Sequence, residues 1–195
     1  IGGSLIFIPA LTIALGPDQQ RYQAAAMIIN AVVAATATYR HGRAGVIRPA
    51  LVLRILPAAI IAILTGVALS NRMPAQALQV AFGCFLILLA AYELRSILGR
   101  GGRGHVGDES RARLTWGRLS TAGGAMGLPA GLLGIGGGLV LVPLLNGFVR
   151  LPLRQAIGTS SAVILVASLV GAIAKNLNLG VARNAPLAVK ASEVL

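Results

Sequence analysis

Between Gln155 and Ala174 the chain carries no aspartate, glutamate, lysine or arginine. The same is true from Tyr22 to Tyr39, from Met73 to Tyr92 and from Leu119 to Val149. A shorter run covers Ile55 to Asn71, and Ile1 to Pro17 makes another at the start. A helix needs about 20 apolar residues to cross ~30 Å of hydrocarbon. Six such runs predict six membrane segments and leave little room for an ordinary soluble fold. Composition agrees, since only 11% of the residues are charged, against roughly 25% in a soluble domain that must build a wet surface.

The net charge of +12 raises the question of nucleic acid. The basic residues, however, lie between apolar runs rather than on one face, and aromatics that could stack on bases are only 4%. Membrane orientation explains them better. Arg40, Arg43, Arg48 and Arg54 follow the second run; Arg95, Arg100, Arg103, Arg111, Arg113 and Arg118 follow the fourth; Lys175, Arg183 and Lys190 follow the sixth. The other links hold only Arg21, then Arg72, then Arg150 and Arg154. The positive-inside rule then places 40–54, 95–118 and 175–190 in the cytoplasm, beside a multi-pass membrane protein's spans. A glycine segment that re-entered instead of crossing would shift this parity. Arg54, Glu93 and Lys175 read as span ends whose long side chains snorkel toward water. Cys84 is the lone cysteine, so no disulfide forms within the chain, and it reads as a small buried hydrophobe.

One phrase occurs twice. Ile1-Gly2-Gly3-Ser4-Leu5-Ile6-Phe7-Ile8-Pro9-Ala10-Leu11 returns as Ile135-Gly136-Gly137-Gly138-Leu139-Val140-Leu141-Val142-Pro143-Leu144-Leu145, and Gln23-Ala24 returns as Gln155-Ala156. Duplicated glycine clusters in apolar sequence suggest two related halves meeting around a pathway. Residues 1–94 form a first unit of four segments, 95–118 a basic glycine-rich linker, and 119–195 a second unit with two segments. The chain opens inside the phrase and closes before two further spans, so it reads as a fragment of a protein of about eight segments. With four segments per unit both halves enter from the same side. The expected fold is an all-α polytopic integral membrane protein of two parallel four-helix repeats, the second truncated, with broken glycine-rich helices at the repeat interface.

Gly123, Gly127 and Gly131 recur every four residues, a spacing that lets helix backbones touch. The glycine clusters also allow a second reading. Gly136-Gly137-Gly138 before Pro143, and Gly2-Gly3 before Pro9, disfavour continuous helix. Helix ends exposed at such a break offer amide N–H groups that attract anions. In lipid a break is tolerated only where it is buried in protein or lines a watery cavity. Pro9 and Pro143 are the expected structural breaks. Thr159, Ser160 and Ser161 either bond back to the preceding turn or face the pathway. Asn30 is costly in lipid unless paired, so it faces protein or water. Gly134-Ile135-Gly136-Gly137-Gly138 is not a dinucleotide loop, because Leu139 stands where the pattern needs glycine and no βαβ unit surrounds it. His41 and His105 lie in separate links. No catalytic residue, metal site or cofactor is expected.

The run from Gly134 to Leu144, followed by Gln155-Ala156-Ile157-Gly158-Thr159-Ser160, closely resembles the TauE/SafE family of sulfite exporters, with its glycine-rich phrase and A-x-G-T-S element. The first copy departs from it at Ser4 and at Ala24-Ala25-Ala26-Met27-Ile28. The resemblance implies an inner-membrane permease of about eight spans that exports sulfite, sulfonates or related small anions. The anion would meet Gly2, Gly3, Asn30, Gly136, Gly137, Gly138, Thr159, Ser160 and Ser161. The partners expected are that anion and the lipid bilayer, with room for a coupling ion and for a homo-oligomer, and no nucleic acid. Two other readings stay open: the same scaffold carrying another small solute such as a carboxylate, and a non-transporting membrane scaffold.

Overall fold

The computed structural model describes residues 3–16, 18–99 and 116–184. Gly2 and residues 100–115 of the basic linker lie outside them. Every regular element among the described residues is a helix: α1 (Gly3–Leu15), α2 (Gln19–Arg43), α3 (Pro49–Arg72), α4 (Ala75–Gly99), α5 (Trp116–Leu133), α6 (Gly138–Pro143) with a π-helical extension (Leu144–Phe148), and α7 (Leu153–Asn184). Large apolar side chains such as Leu53, Ile61, Val80, Ile87 and Leu88 stand exposed on α3 and α4, as a surface solvated by lipid requires. The chain is an all-α polytopic membrane protein.

Among the described residues three helices, in α3, α4 and α7, are long and apolar enough to cross a bilayer. Helix α2 has the length, 25 residues, but Gln19, Gln20, Arg21, Gln23 and Asn30 dilute its apolar character. The run from Leu119 to Val149 does not cross as one piece. Helix α5 ends at Leu133, the chain turns, and α6 runs back. At the end of the return the Arg118 guanidinium donates to the Phe148 carbonyl (3.2 Å) and stacks over its ring. Of the two options left open by the sequence, the glycine segment re-enters instead of crossing, because glycine permits a hairpin inside the apolar layer.

The glycines every four residues make the main helix seam. A Cβ at Gly123 would stand 2.7 Å from the Ile55 carbonyl oxygen, and one at Gly127 would stand 2.5 Å from that of Ala59. Gly66 returns the contact, 2.5 Å from the Leu128 carbonyl. Side chains are absent so that the backbones of α3 and α5 can touch. The contacts advance together along both helices, so α3 and α5 run parallel. Helix α7 packs on α2 and α3. One core joins Leu51, Ile55 and Ile63 of the first half to Leu119, Met126, Leu141 and Val163 of the second. The two sequence units thus interleave around a shared interior.

Helices α3 and α7 lie side by side. At one end the Arg48 Nε donates to Gln155 Oε1 (3.1 Å); at the other the Lys175 Nζ donates to Ser70 Oγ (2.7 Å). Links 40–54 and 175–190 are both expected in the cytoplasm from their charge. The described part of the second, 175–184, instead lies at the opposite end of α7 from Arg48. The re-entrant hairpin is the physical reason, since it removes one crossing.

The prolines also differ from expectation. Helix α1 continues through Pro9, and Pro143 ends α6 where the winding widens into the π-helical extension. Neither proline opens a gap; the gap lies at the glycines before Pro143. Cys84, expected to be buried, is exposed on α4.

Candidate substrate site at the glycine break

Gly134, Gly136 and Gly137 have φ of +74°, +73° and +71°. This left-handed region strains residues with a Cβ and is open to glycine. The three positions end α5 and aim the chain back into α6. All of 134–138 is buried.

A helix that stops inside the apolar layer strands the carbonyls of its last turn. Helix α2 answers with two amides. Gln23 Nε2 donates to the Leu132 carbonyl (3.1 Å), and Asn30 Nδ2 donates to the Gly134 carbonyl (3.2 Å). Gln23 and Asn30 are seven residues apart, hence on one helical face. The contact is close: a Cβ at Gly136 would stand 2.7 Å from Asn30 Nδ2, and one at Gly137 would stand 2.6 Å from Met126 Cγ. On the far side of the break the amides of Val140 and Leu141 both return to the Gly137 carbonyl (3.1 and 3.0 Å). Those of Gly138 and Leu139, in the first turn of α6, have no partner inside that helix.

Beside the break is a cleft of about 20 Å³, room for roughly one water molecule. Asn30, Val33 and Ala34 of α2 form one wall, Ile135, Gly136 and Gly138 the break side, and Ser161 and Ile164 of α7 the third. Of the residues expected from sequence, Asn30, Gly136, Gly138 and Ser161 meet here. Gly137 lies in the break behind them. Thr159 does not line the cleft; its Oγ1 accepts the Arg48 amide (3.3 Å). Ser160 does not line it either and donates to the Ile157 carbonyl (2.9 Å). Ser161 donates to the Gly158 carbonyl (2.7 Å). The two serines follow the local back-bonding option, because a buried helical hydroxyl finds the preceding turn within reach. Gly3 starts α1, outside the cleft, and Gly2 is outside the described residues. Helix α1 flanks a different, apolar hollow of about 210 Å³ shared with α2 and α4, lined by Ile8, Pro9, Ile13 and Phe82 among others.

A second polar cluster goes beyond what the sequence suggests. Lys175 Nζ donates to Ser70 Oγ (2.7 Å), and Ser70 Oγ donates to Gln23 Oε1 (2.9 Å), the same glutamine that holds Leu132. Gln23, Ser70 and Lys175 are each 0% exposed. Lys175 therefore does not snorkel. Helix α7 continues past it to Asn184 and turns the side chain toward α3. The sequence signal is a single cation closing a charge-free run; what it lacks is any mark that the helix goes on.

The model of the family described as sulfite exporter TauE/SafE matches residues 1–191. Two curated relatives are named as the probable membrane transporter protein MamO. The one from Paramagnetospirillum magneticum is 22% identical over 89% of this chain and 31% of its own length. The one from Magnetospirillum gryphiswaldense is 24% identical over 89% of this chain and 32% of its own. The chain thus spans about a third of the length of these relatives. No solved structure matches.

Proposed function

Since the chain belongs to the TauE/SafE family, we propose that it is a permease, not an enzyme, and that it moves a small anion, sulfite or an organosulfur acid, outward across a bacterial inner membrane. The observation that carries this reading is the buried break at Gly134–Gly137 with a cleft beside it. Irregular backbone at that depth is tolerated where it is buried in protein or lines a watery cavity, and in transporters such interruptions form substrate sites. The cleft combines the remaining N–H of the Asn30 amide and the backbone of Gly136 and Gly138 with apolar walls, and the Ser161 hydroxyl joins them by letting go of the Gly158 carbonyl. That mixture fits a small solute with several acceptor oxygens. In this conformation the cleft, about 20 Å³, has room for roughly one water molecule, so passage of a larger ion requires α2 and α7 to part at the break. A cell interior that is negative favours exit of an anion by ~2.3 kcal/mol per charge per 100 mV, which suffices for a uniporter. The Arg40–Arg54 link and the Arg-rich linker would then face the cytoplasm. The MamO relatives, named as probable transporters, support transport over a purely structural role.

Purified protein in liposomes loaded with labelled sulfite tests this. Expected is potential-dependent release above that of empty vesicles. Release equal to empty vesicles for sulfite and for a panel of sulfonates overturns the substrate class.

A further inference from the structure

We propose that one buried face of α7, carrying Ser161, Ser168 and Lys175, is the track along which the anion travels, and that Lys175 is the cation that pairs with it. This deepens the anion-permease reading and rests on it.

The three residues are spaced seven apart, which places them on one helical face. At 1.5 Å per residue they span ~21 Å, about two thirds of a hydrocarbon layer. Ser161 stands in the wall of the cleft. Ser168 is 1% exposed, and its hydroxyl has no hydrogen-bond partner. Ser160 and Ser161 on the same helix bond back to the turn before them, whereas Ser168 does not. A buried hydroxyl without a protein partner, a state Ser168 shares with the Thr38 hydroxyl and the Asn71 carbonyl oxygen, is a place where water or a passing solute oxygen bonds.

Lys175 presents the same problem in stronger form. An ammonium has three N–H donors, and one of them goes to Ser70 Oγ. Among the described side chains the carboxylate is that of Asp18, which pairs with Arg21 (2.9 Å). An enclosed cation with no counter-charge among the described side chains is expensive in the apolar layer, and such groups mark ion paths. A small oxyanion supplies what both residues lack: acceptor oxygens for the free donors and a negative charge for the ammonium. The chain of bonds from Lys175 through Ser70 and Gln23 to Leu132 joins this end of the track to the break.

The track is shut between its two ends. Gly171 faces inward, where a Cβ would stand 2.9 Å from Ile63 Cδ1 and 3.2 Å from Met27 Sδ. Both are tips of side chains that change rotamer, Met27 with particular ease. They form the barrier that must swing aside.

The test uses two independent readouts on the reconstituted protein. In sulfite release, Lys175→Gln is expected to lose at least tenfold, Lys175→Arg to keep a third or more, and Ser168→Ala to fall a few-fold. In a Cys84→Ser background, Ser168→Cys is exposed to anionic and cationic methanethiosulfonates. The anionic reagent is expected to react at least tenfold faster, and Lys175→Gln to erase that preference. Normal release by Lys175→Gln overturns the track while the permease reading stands. So does release that persists but loses only its pH dependence, which makes Lys175 a proton carrier. A Ser168→Cys variant that is unreactive, or blind to reagent charge, also overturns it. Charge-selective labelling in a protein that releases no sulfite leaves the track standing and removes the proposed substrate.

Discussion

The two copies of the glycine phrase share their letters and little of their surroundings. The second copy is a turn with positive φ angles, sealed inside the protein, its carbonyls held by α2. The described part of the first is a helix, α1, that continues through its proline and leaves Ile13 87% exposed. The glutamines that follow the two phrases diverge in the same way. Gln23 is fully enclosed and bonds to two other helices; its counterpart Gln155 is half-buried and accepts one bond from Arg48. A repeated phrase fixes where a chain can bend. Whether it bends depends on which neighbours arrive to satisfy the freed backbone.

That contrast can be broken by substitution. The largest effect is expected at Gly136→Ala. A side chain there costs roughly 1–2 kcal/mol for the left-handed backbone and adds the collision with Asn30. Sulfite release should fall at least tenfold and the melting temperature in detergent should drop, while Gly3→Ala, at a helix start, should change neither appreciably. Next comes Gln23→Leu. It strands the Leu132 carbonyl and the Ser70 hydroxyl, with a cost of about 1–3 kcal/mol for each buried group left unpaired. Gln155→Leu, in the equivalent register, should cost about 0.5 kcal/mol or less by the same melting measurement. If the two glutamine variants melt alike, the asymmetry between the copies is wrong.

Smaller effects sharpen the picture. Thr159→Val removes the acceptor of the Arg48 amide and should cost about 1 kcal/mol with sulfite release unchanged, since Thr159 lies outside the cleft. Ser160→Ala, which loses only a bond to its own preceding turn, should shift stability by no more than about 0.5 kcal/mol. Loss of transport in either variant would return these hydroxyls to the pathway.

Several of these features are legible in the amino-acid sequence alone. Glycines every four residues announce a backbone seam, and Gly123, Gly127 and Gly131 make one with α3. Asn30 has to face something polar, and it faces a carbonyl. Other features are out of reach for definite reasons. A hydroxyl in a helix reads the same whether it bonds backward or points at a cleft, so Thr159, Ser160 and Ser161 cannot be told apart by their letters. Lys175 closes an apolar run, and a run's end looks like a span's end; only the continuation of α7 to Asn184 shows otherwise. The shared orientation of links 40–54 and 175–190 fails because counting runs treats a hairpin as a crossing.

The amides that complete the break come from far upstream: Gln23 lies 109 residues before Leu132, and Asn30 lies 104 before Gly134. During synthesis, then, the earlier half reaches the bilayer first and waits with its donors unengaged. The α5–α6 hairpin can take its final shape only against that waiting helix. A chain begun at Trp116 would have no means of closing its own wound, so the order in which the halves are made is part of how the second one folds.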